Sequence, residues 1–132
     1  MKYMLDTSIC IEIIRRRSVS AVERCEAHAG QGLCLSAVSY SELLFGCAKS
    51  LHPAKNCHAL EKFLAPLEVL DFPAAAGHDY AKLRAGLEKQ GRIIGPNDLL
   101  IAAHCLHLKC TLVTNNEREF RRVPGLRVTN WL

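Results

Sequence analysis

The chain has 132 residues, of which 49% are hydrophobic and 23% are charged, and its formal net charge is +4. This length suits one compact core and is too short for two, so we expect a single domain over residues 1–132. No apolar run approaches the roughly 18 residues of a membrane span and no export signal is visible, which argues against the membrane and secreted classes. Seven cysteines without a Cys-x-x-Cys pair indicate reduced thiols and favour a cytoplasmic protein.

Strands and helices are predicted to alternate in the first half of the chain. The first strand, Tyr3–Leu5, ends at Asp6, and Thr7 or Ser8 is expected to cap the helix that follows. The later elements of this half are a helix from Val19 to about His28, a strand over Leu33–Leu35, a helix after Ser36 and a helix that begins at Pro53. Each strand of this half is therefore followed by a helix.

The second half continues the alternation. We expect a strand over Leu67–Leu70, a long helix over roughly Ala74–Gln90, a helix that Pro96 begins and Asn97 caps, a strand over Thr111–Thr114, a short helical piece ending near Phe120, and a last strand over Leu126–Val128. This order predicts an α/β fold, with helices on both faces of a central, mainly parallel sheet of four to five strands in a three-layer α/β/α sandwich.

Acidic residues follow three of the predicted strands. Asp6 follows the first strand, Glu42 lies in the helix after the second, and Glu119 follows the strand over Thr111–Thr114. The carboxyl ends of parallel strands meet at one edge of a sheet, where ligands bind, so these three carboxylates should face the same place. Asp98 lies at the start of a helix. It joins the other three acids only if the chain topology brings the N-terminus of that helix to the same edge of the sheet.

Each of these carboxylates also has a simple structural explanation. Asp6 can cap a helix, Glu42 and Glu119 have the spacing of capping boxes, and Asp98 complements a helix dipole. Gathered together they would repel one another, and burial would further disfavour their charged forms, so the cluster would need a cation. Oxygen ligands without cysteine or histidine select Mg²⁺ or Mn²⁺ over zinc, and such ions handle phosphate oxygens.

Four sequence blocks carry a family resemblance. They read MLDTSIC, SYSELLFG, GPNDLLIAAH and TLVTNNEREFRRVPGLRVTNWL, in this order along essentially the whole chain. With them the sequence resembles the PIN-domain ribonucleases, specifically the VapC toxins of bacterial VapBC type II toxin–antitoxin pairs. The resemblance implies a Mg²⁺- or Mn²⁺-dependent endoribonuclease toxin that inhibits translation. Its catalytic positions carry over as Asp6, Glu42, Asp98 and Glu119, with the first three as metal ligands.

The resemblance also implies partners and products. A cognate VapB-type antitoxin would block the site, and a homodimer and a toxin–antitoxin hetero-oligomer are expected. The substrate would be RNA, with transfer RNA and the anticodon region of its initiator species as the implied target. The products would carry a 5′-phosphate and a 3′-hydroxyl.

One position departs from the family pattern. Many PIN domains have an aspartate directly after the strand that precedes the last acidic position, whereas this chain has Asn115 and Asn116. An amide can orient a water but supplies no charge. Glu119, alone or with Glu117, would then serve as the fourth acid, and the choice between one metal and two stays open.

Two further groups of residues are expected around the acids. Side chains that could orient the carboxylates or waters are Thr7, Ser8, Asn97, Thr114 and Asn116. Cations that could attract the RNA backbone are Arg15, Arg92, Arg118 and Arg121. Only 6% of the residues are aromatic, so a folded RNA is expected over an open single strand.

Two other functions compete with this interpretation. The first is a receiver-like signalling domain with Asp71 as its phosphoacceptor and Thr114 as its switch hydroxyl, although the acidic pair and the lysine that such domains need are missing. The second is a PIN-fold module that binds RNA or protein without catalysis. A zinc site at the histidines and cysteines of residues 104–110 is disfavoured because paired Cys-x₂₋₄-Cys knuckles are absent.

Overall fold

A computed structural model describes residues 2–132. Five strands form one sheet in the order β3-β2-β1-β4-β5, and every neighbouring pair is parallel. The strands are β1 Tyr3–Leu5, β2 Leu33–Ser36, β3 Glu68–Leu70, β4 Thr111–Val113 and β5 Arg127–Thr129. Because all five run in one direction, their carboxyl ends lie along one edge, as predicted.

Helices cover both faces of this sheet. They are α1 Thr7–Ile14, α2 Val19–His28, α3 Ala37–Ala48, α4 Pro53–Leu64, α5 Ala76–Lys89, α6 Pro96–Leu108 and α7 Glu117–Phe120. The predicted α/β/α sandwich is confirmed, and the predicted element boundaries differ from the observed ones by a few residues at most. No helix within residues 2–132 combines the length and apolar character that crossing a membrane requires.

The core has two parts, one on each face of the sheet, because successive side chains of the central strands point to opposite faces. Met4 and Leu112 belong to the core shared with α5 and α6, whereas Leu5 and Val113 belong to the core shared with α1 to α4. All four side chains are fully buried. Successive side chains of a strand point to opposite faces, so a sheet covered on both sides buries apolar side chains on both faces of its central strands.

Two predicted helix caps are wrong. The cap of α1 is Asp6, whose extended backbone lets its carboxylate accept the Ile9 N–H at 2.9 Å, while Thr7 is already helical. The cap of α6 is Gly95, with Pro96 as the first helical residue. Asn97 therefore lies inside the first turn, where its side chain turns outward from the helix to Glu42.

Candidate active site

Asp6 occupies the end of the central strand β1. Its side chain is 4% exposed and accepts hydrogen bonds from the Ile9 N–H, from the Thr114 hydroxyl and from Ser8 Oγ, which lies 2.9 and 3.0 Å from its two oxygens. Burial raises the pKa of Asp6 above its usual value, the charge of Glu42 adds to this, and the hydrogen bonds oppose it. The strand end thus fixes a carboxylate whose charge is only partly compensated.

Glu42 reaches the same edge from α3. Thr7 donates its hydroxyl to one oxygen of Glu42, and Asn97 Nδ2 donates to the other at 3.1 Å. Thr7 begins α1 and Asn97 lies in the first turn of α6. Glu42 therefore connects the starts of two helices. The sequence spacing also allowed a capping box, but the hydrogen bonds of Glu42 are to Thr7 and Asn97 instead.

Asp98 lies in the first turn of α6 and is partly buried. The pKa of Asp98 is raised to about 7 because burial disfavours its charge and because Glu119, Asp6 and Glu42 repel it. A helix N-terminus would by itself favour the anion. Burial and the repulsion from the neighbouring carboxylates together outweigh that effect. The contacts of Asn97 with Glu42 and of Gly95 with Glu119 bring the start of α6, and Asp98 with it, to the edge where the other acids lie.

Glu119 enters from α7 and contacts the start of α6. Its oxygens accept the Gly95 N–H at 2.9 Å and the Asn116 side-chain amide. Burial alone would raise the pKa of Glu119, but the hydrogen bonds from Gly95, Asp98 and Asn116, with the charge of Arg122, lower it below the usual value. The pKa values of the two neighbouring carboxyls are therefore shifted in opposite directions, upward for Asp98 and downward for Glu119.

The donor set of this cluster fits a hard cation. It consists of carboxylate oxygens, which Mg²⁺, Mn²⁺ and Ca²⁺ prefer. Gly95 leaves space beside two of them, since a Cβ there would lie 3.5 Å from Asp98 Oδ2 and 3.7 Å from Glu119 Oε1. Within residues 2–132, no three acidic, histidine or cysteine side chains are already arranged as a metal-binding group. The oxygens of Glu42 and Glu119 accept hydrogen bonds from neighbouring side chains and from the Gly95 N–H.

Gly95→Ala is expected to weaken divalent-cation binding at least about tenfold while leaving the fold intact. Its φ of −56° suits alanine, so the free energy of unfolding should stay the same or rise by about 0.4–1 kcal/mol. The methyl group would fill the space beside Asp98 and Glu119. Calorimetric titration with Mn²⁺ measures the affinity. Gly77→Ala in α5, where a Cβ meets no atom within 4 Å, is the control and should bind as wild type does.

Thr114→Val is expected to lower the free energy of unfolding by about 1–3 kcal/mol, the cost of unmade buried hydrogen bonds. The Thr114 hydroxyl is buried, donates to Asp6 and accepts the Asn116 N–H at 2.9 Å. Its loss should raise the pKa of Asp6 further. A carboxyl with a raised folded-state pKa makes the folded protein less stable as the pH increases above the usual carboxyl range. Thr114→Val should therefore lower the free energy of unfolding more at pH 7 than at pH 4.

Urea unfolding at both pH values measures this effect. Thr129→Val on strand β5, which is only partly buried, is the matched control and should change stability by less than about 0.5 kcal/mol. An unfolding free energy of Thr114→Val equal to that of wild type at pH 7 would mean that this hydroxyl does not support Asp6.

The polar residues expected around the acids all contact a carboxylate. Ser8 and Thr114 contact Asp6, Thr7 and Asn97 contact Glu42, and Asn116 contacts Glu119. Three contributors were missed by sequence reasoning: Asn115 beside Ser8, the Gly95 N–H on Glu119, and Arg122 near Glu119. Backbone donors have no sequence signal, whereas Arg122 stands out only as one of three arginines that lie close together in the sequence, with Arg118 and Arg121.

The predicted cations lie on the surface. Arg15, Arg92, Arg118 and Arg121 are all exposed, and Arg121 approaches Glu117 at 3.5 Å. Arg15 lines a groove that also includes Thr7 and Glu42.

The receiver-like alternative is not favoured by the fold. Asp71 is exposed after the edge strand β3, and the Thr114 hydroxyl is engaged with Asp6. The suspected zinc residues also have other contacts, since His104 Nδ1 lies 2.9 Å from Ser36 Oγ and His107 Nδ1 lies 3.1 Å from Asp79.

Comparisons with known proteins identify the family of the chain. The PIN domain family model matches residues 3–126. The chain is 44% identical to ribonuclease VapC2 of Haemophilus influenzae, covering 100% of this chain and 99% of that protein. It is 43% identical to the tRNA(fMet)-specific endonuclease VapC of Shigella flexneri, over 99% and 98% of the two chains.

A solved structure is similar over the same span. The crystal structure of VapBC2 from Rickettsia felis, bound to a DNA fragment from its promoter, contains a chain with 41% identity and a TM-score of 0.95, covering 100% of both chains. The fold, the family model and the full-length relatives all agree, and this chain therefore belongs to the PIN domain family, among the VapC ribonucleases.

Proposed function

We propose that this chain is a divalent-metal-dependent endoribonuclease toxin that hydrolyses RNA phosphodiester bonds, acting as one domain in the cytoplasm. The observation that carries the proposal is the electrostatics of Asp98, whose negative charge is opposed by three other carboxylates at the carboxyl edge of a parallel sheet. Such a cluster is stabilised when a cation neutralises it. Mg²⁺ or Mn²⁺ is the proposed ion because all the donors are oxygens.

The catalytic residues proposed are Asp6, Glu42, Asp98 and Glu119, with the first three holding the ion. A bound ion of this kind lowers the pKa of a water molecule and polarises the scissile phosphate. Ser8, Thr114 and the Ile9 N–H orient Asp6 and favour its charged form.

The other two carboxylates are held by different groups. Thr7 and Asn97 fix Glu42 between α1 and α6. Gly95 and Asn116 hold Glu119 beside Asp98, and the role proposed for Glu119 is to orient a water for attack on the phosphorus. We propose that the products carry a 5′-phosphate and a 3′-hydroxyl.

Transfer RNA, in particular the anticodon region of the initiator species, is the proposed substrate. The support is the similarity to a Shigella flexneri enzyme named as specific for tRNA(fMet). The exposed side chains of Arg15, Arg92, Arg118 and Arg121 would attract the phosphate backbone of a folded RNA toward the acidic site.

A VapB-type antitoxin is the proposed partner. The support is the similarity to the VapBC2 structure, together with a groove of about 900 Å³ between α1, α3 and α4. Apolar side chains such as Ile11, Ile14 and Phe45 line this groove together with Glu42, and Phe45 is 64% exposed. A peptide segment in the groove would cover Phe45 and block access to Glu42.

The function is tested by incubating the purified chain with initiator tRNA in the presence of Mg²⁺, Mn²⁺ or EDTA. Cleavage with either metal and none with EDTA is expected. Elongator methionine tRNA is the control for specificity and should be cut more slowly. No cleavage with either metal, or undiminished cleavage in EDTA, would refute the metal-dependent mechanism, and equal cleavage of both tRNAs would refute only the proposed specificity.

A further inference from the structure

Arg122 anchors the loop that leads into α6. It follows α7 and is partly buried, and its Nη1 donates to the Ile93 carbonyl oxygen at 3.1 Å. Its own backbone N–H donates to the Glu119 carbonyl at 3.1 Å, so the arginine is fixed to the last turn of α7. The contact therefore joins α7 to the segment 91–95, which connects α5 to α6.

A second contact joins the same two segments. Glu119 of α7 accepts the Gly95 N–H at 2.9 Å, two residues beyond the carbonyl that Arg122 holds. Ile94, between the two anchored residues, is 5% exposed and packs in the core that includes Phe120. The loop is thus held at three consecutive residues by hydrogen bonds and packing, immediately before Pro96 begins α6.

The position of Asp98 depends on this loop. Asp98 is the third residue of α6, and the Leu99 N–H donates to the Gly95 carbonyl at 2.9 Å in the first helical bond. A displacement of Gly95 would therefore move the start of α6 and Asp98 with it. It would also break the hydrogen bond that orients Glu119.

We propose that Arg122 is a positioning residue: by holding the Ile93 carbonyl, it fixes the loop that presents the Gly95 N–H to Glu119 and places Asp98. A planar guanidinium on a long stem suits this contact because it reaches across from α7 and donates in a fixed direction. The catalytic consequence rests on the proposed ribonuclease function, whereas the anchoring of the loop does not.

The test compares Arg122→Ala with Arg127→Ala. Arg127 is a matched control because it also donates to a backbone carbonyl, that of Lys109 at 2.6 Å, but lies where strand β5 begins, away from the acidic edge. Hydrogen exchange of the Gly95 amide, read by NMR, should be about tenfold faster in Arg122→Ala, the effect of losing one hydrogen bond. In Arg127→Ala it should equal the wild-type rate.

Kinetics separate positioning from RNA contact. With the metal-loaded protein and a tRNA substrate, Arg122→Ala should lower kcat about tenfold with KM within about twofold, as expected for a residue that orients catalytic groups. Wild-type Gly95 exchange in Arg122→Ala would overturn the proposal, and a higher KM with unchanged exchange would assign Arg122 to RNA binding instead.

Two controls keep the outcome decisive. If circular dichroism shows that Arg122→Ala does not fold, Arg122→Gln is measured in the same way, with the same expected changes. If the wild-type chain cleaves no RNA, the proposed function fails, while Gly95 exchange still decides whether Arg122 anchors the loop.

Discussion

Asp98→Asn is expected to lower the rate of RNA cleavage by at least about 100-fold. This exceeds the roughly 10–100-fold loss that is usual when a residue that only hydrogen-bonds a metal ligand is replaced. The substitution keeps the size of the side chain and removes the charge that the proposed metal needs. It also removes a negative charge that is disfavoured by burial and by repulsion from Glu119, Asp6 and Glu42, which together raise the pKa of Asp98 to about 7. The variant without metal should therefore be at least as stable as wild type at pH 8.

The sign of this stability change follows from linkage. A carboxyl whose folded-state pKa lies above its unfolded value favours folding while it is protonated, and the folded state loses stability as pH rises through about 7. Asparagine has no carboxyl group to ionise, so the free energy of unfolding of the variant should decrease less between pH 4 and pH 8 than that of wild type.

Asp79→Asn is a matched control for both measurements. Asp79 is likewise in the first turn of a helix, α5, where it contacts His107 at 3.1 Å. Its substitution should leave cleavage unchanged and should lower stability slightly, because it removes a favourable charge at a helix N-terminus. If Asp98→Asn cleaved RNA as fast as Asp79→Asn, Asp98 would have no catalytic role.

Mg²⁺ or Mn²⁺ is expected to raise the melting temperature more at pH 8 than at pH 5.5. At an ion concentration about 100 times the Kd, binding adds about 2.7 kcal/mol to the stability of the folded state. For a chain of this length that corresponds to a shift of roughly 5–10 °C. At pH 5.5 Asp98 is largely protonated, since its pKa is about 7, and the proton competes with the metal.

The control for the metal effect is the same titration on Asp98→Asn. Its melting temperature should respond weakly to the metal at both pH values. A larger shift at pH 5.5 than at pH 8, or an equal shift in Asp98→Asn, would show that the ion binds elsewhere on the chain.

The sequence was sufficient to predict the parallel sheet and the gathering of three carboxylates at its edge. Short apolar strands followed by acids at Asp6 and Glu119 carry that information directly, because the carboxyl ends of parallel strands must coincide. Asp98 was harder to place because α6 does not directly follow a strand. The helix α5 and a loop lie between β3 and α6. The packing of α5 and α6 against Met4 and Leu112 brings the start of α6 to the edge.

Local details were less predictable because several residues competed for one role. Asp6, Thr7 and Ser8 can all cap a helix, and the extended backbone of Asp6 at the end of β1 decides the choice. Asn97 was expected to cap α6, but Pro96 takes the first helical position and leaves the cap to Gly95.

The roles of Gly95 and Arg122 depend on backbone atoms that lie far along the chain. Gly95 donates its N–H to Glu119, and Arg122 donates to the carbonyl of Ile93. Any residue except proline offers the same backbone groups, so no residue type marks these partners in a sequence.

Crystals of the chain grown with Mn²⁺ test the central claim most directly, because anomalous diffraction locates the ion. The expected result is an anomalous peak from an ion that carboxylate oxygens of Asp6, Glu42 and Asp98 coordinate at the carboxyl edge of the sheet. A well-diffracting crystal grown at pH 8 with Mn²⁺ in excess and no peak at these carboxylates would contradict the assignment of a metal-dependent active site.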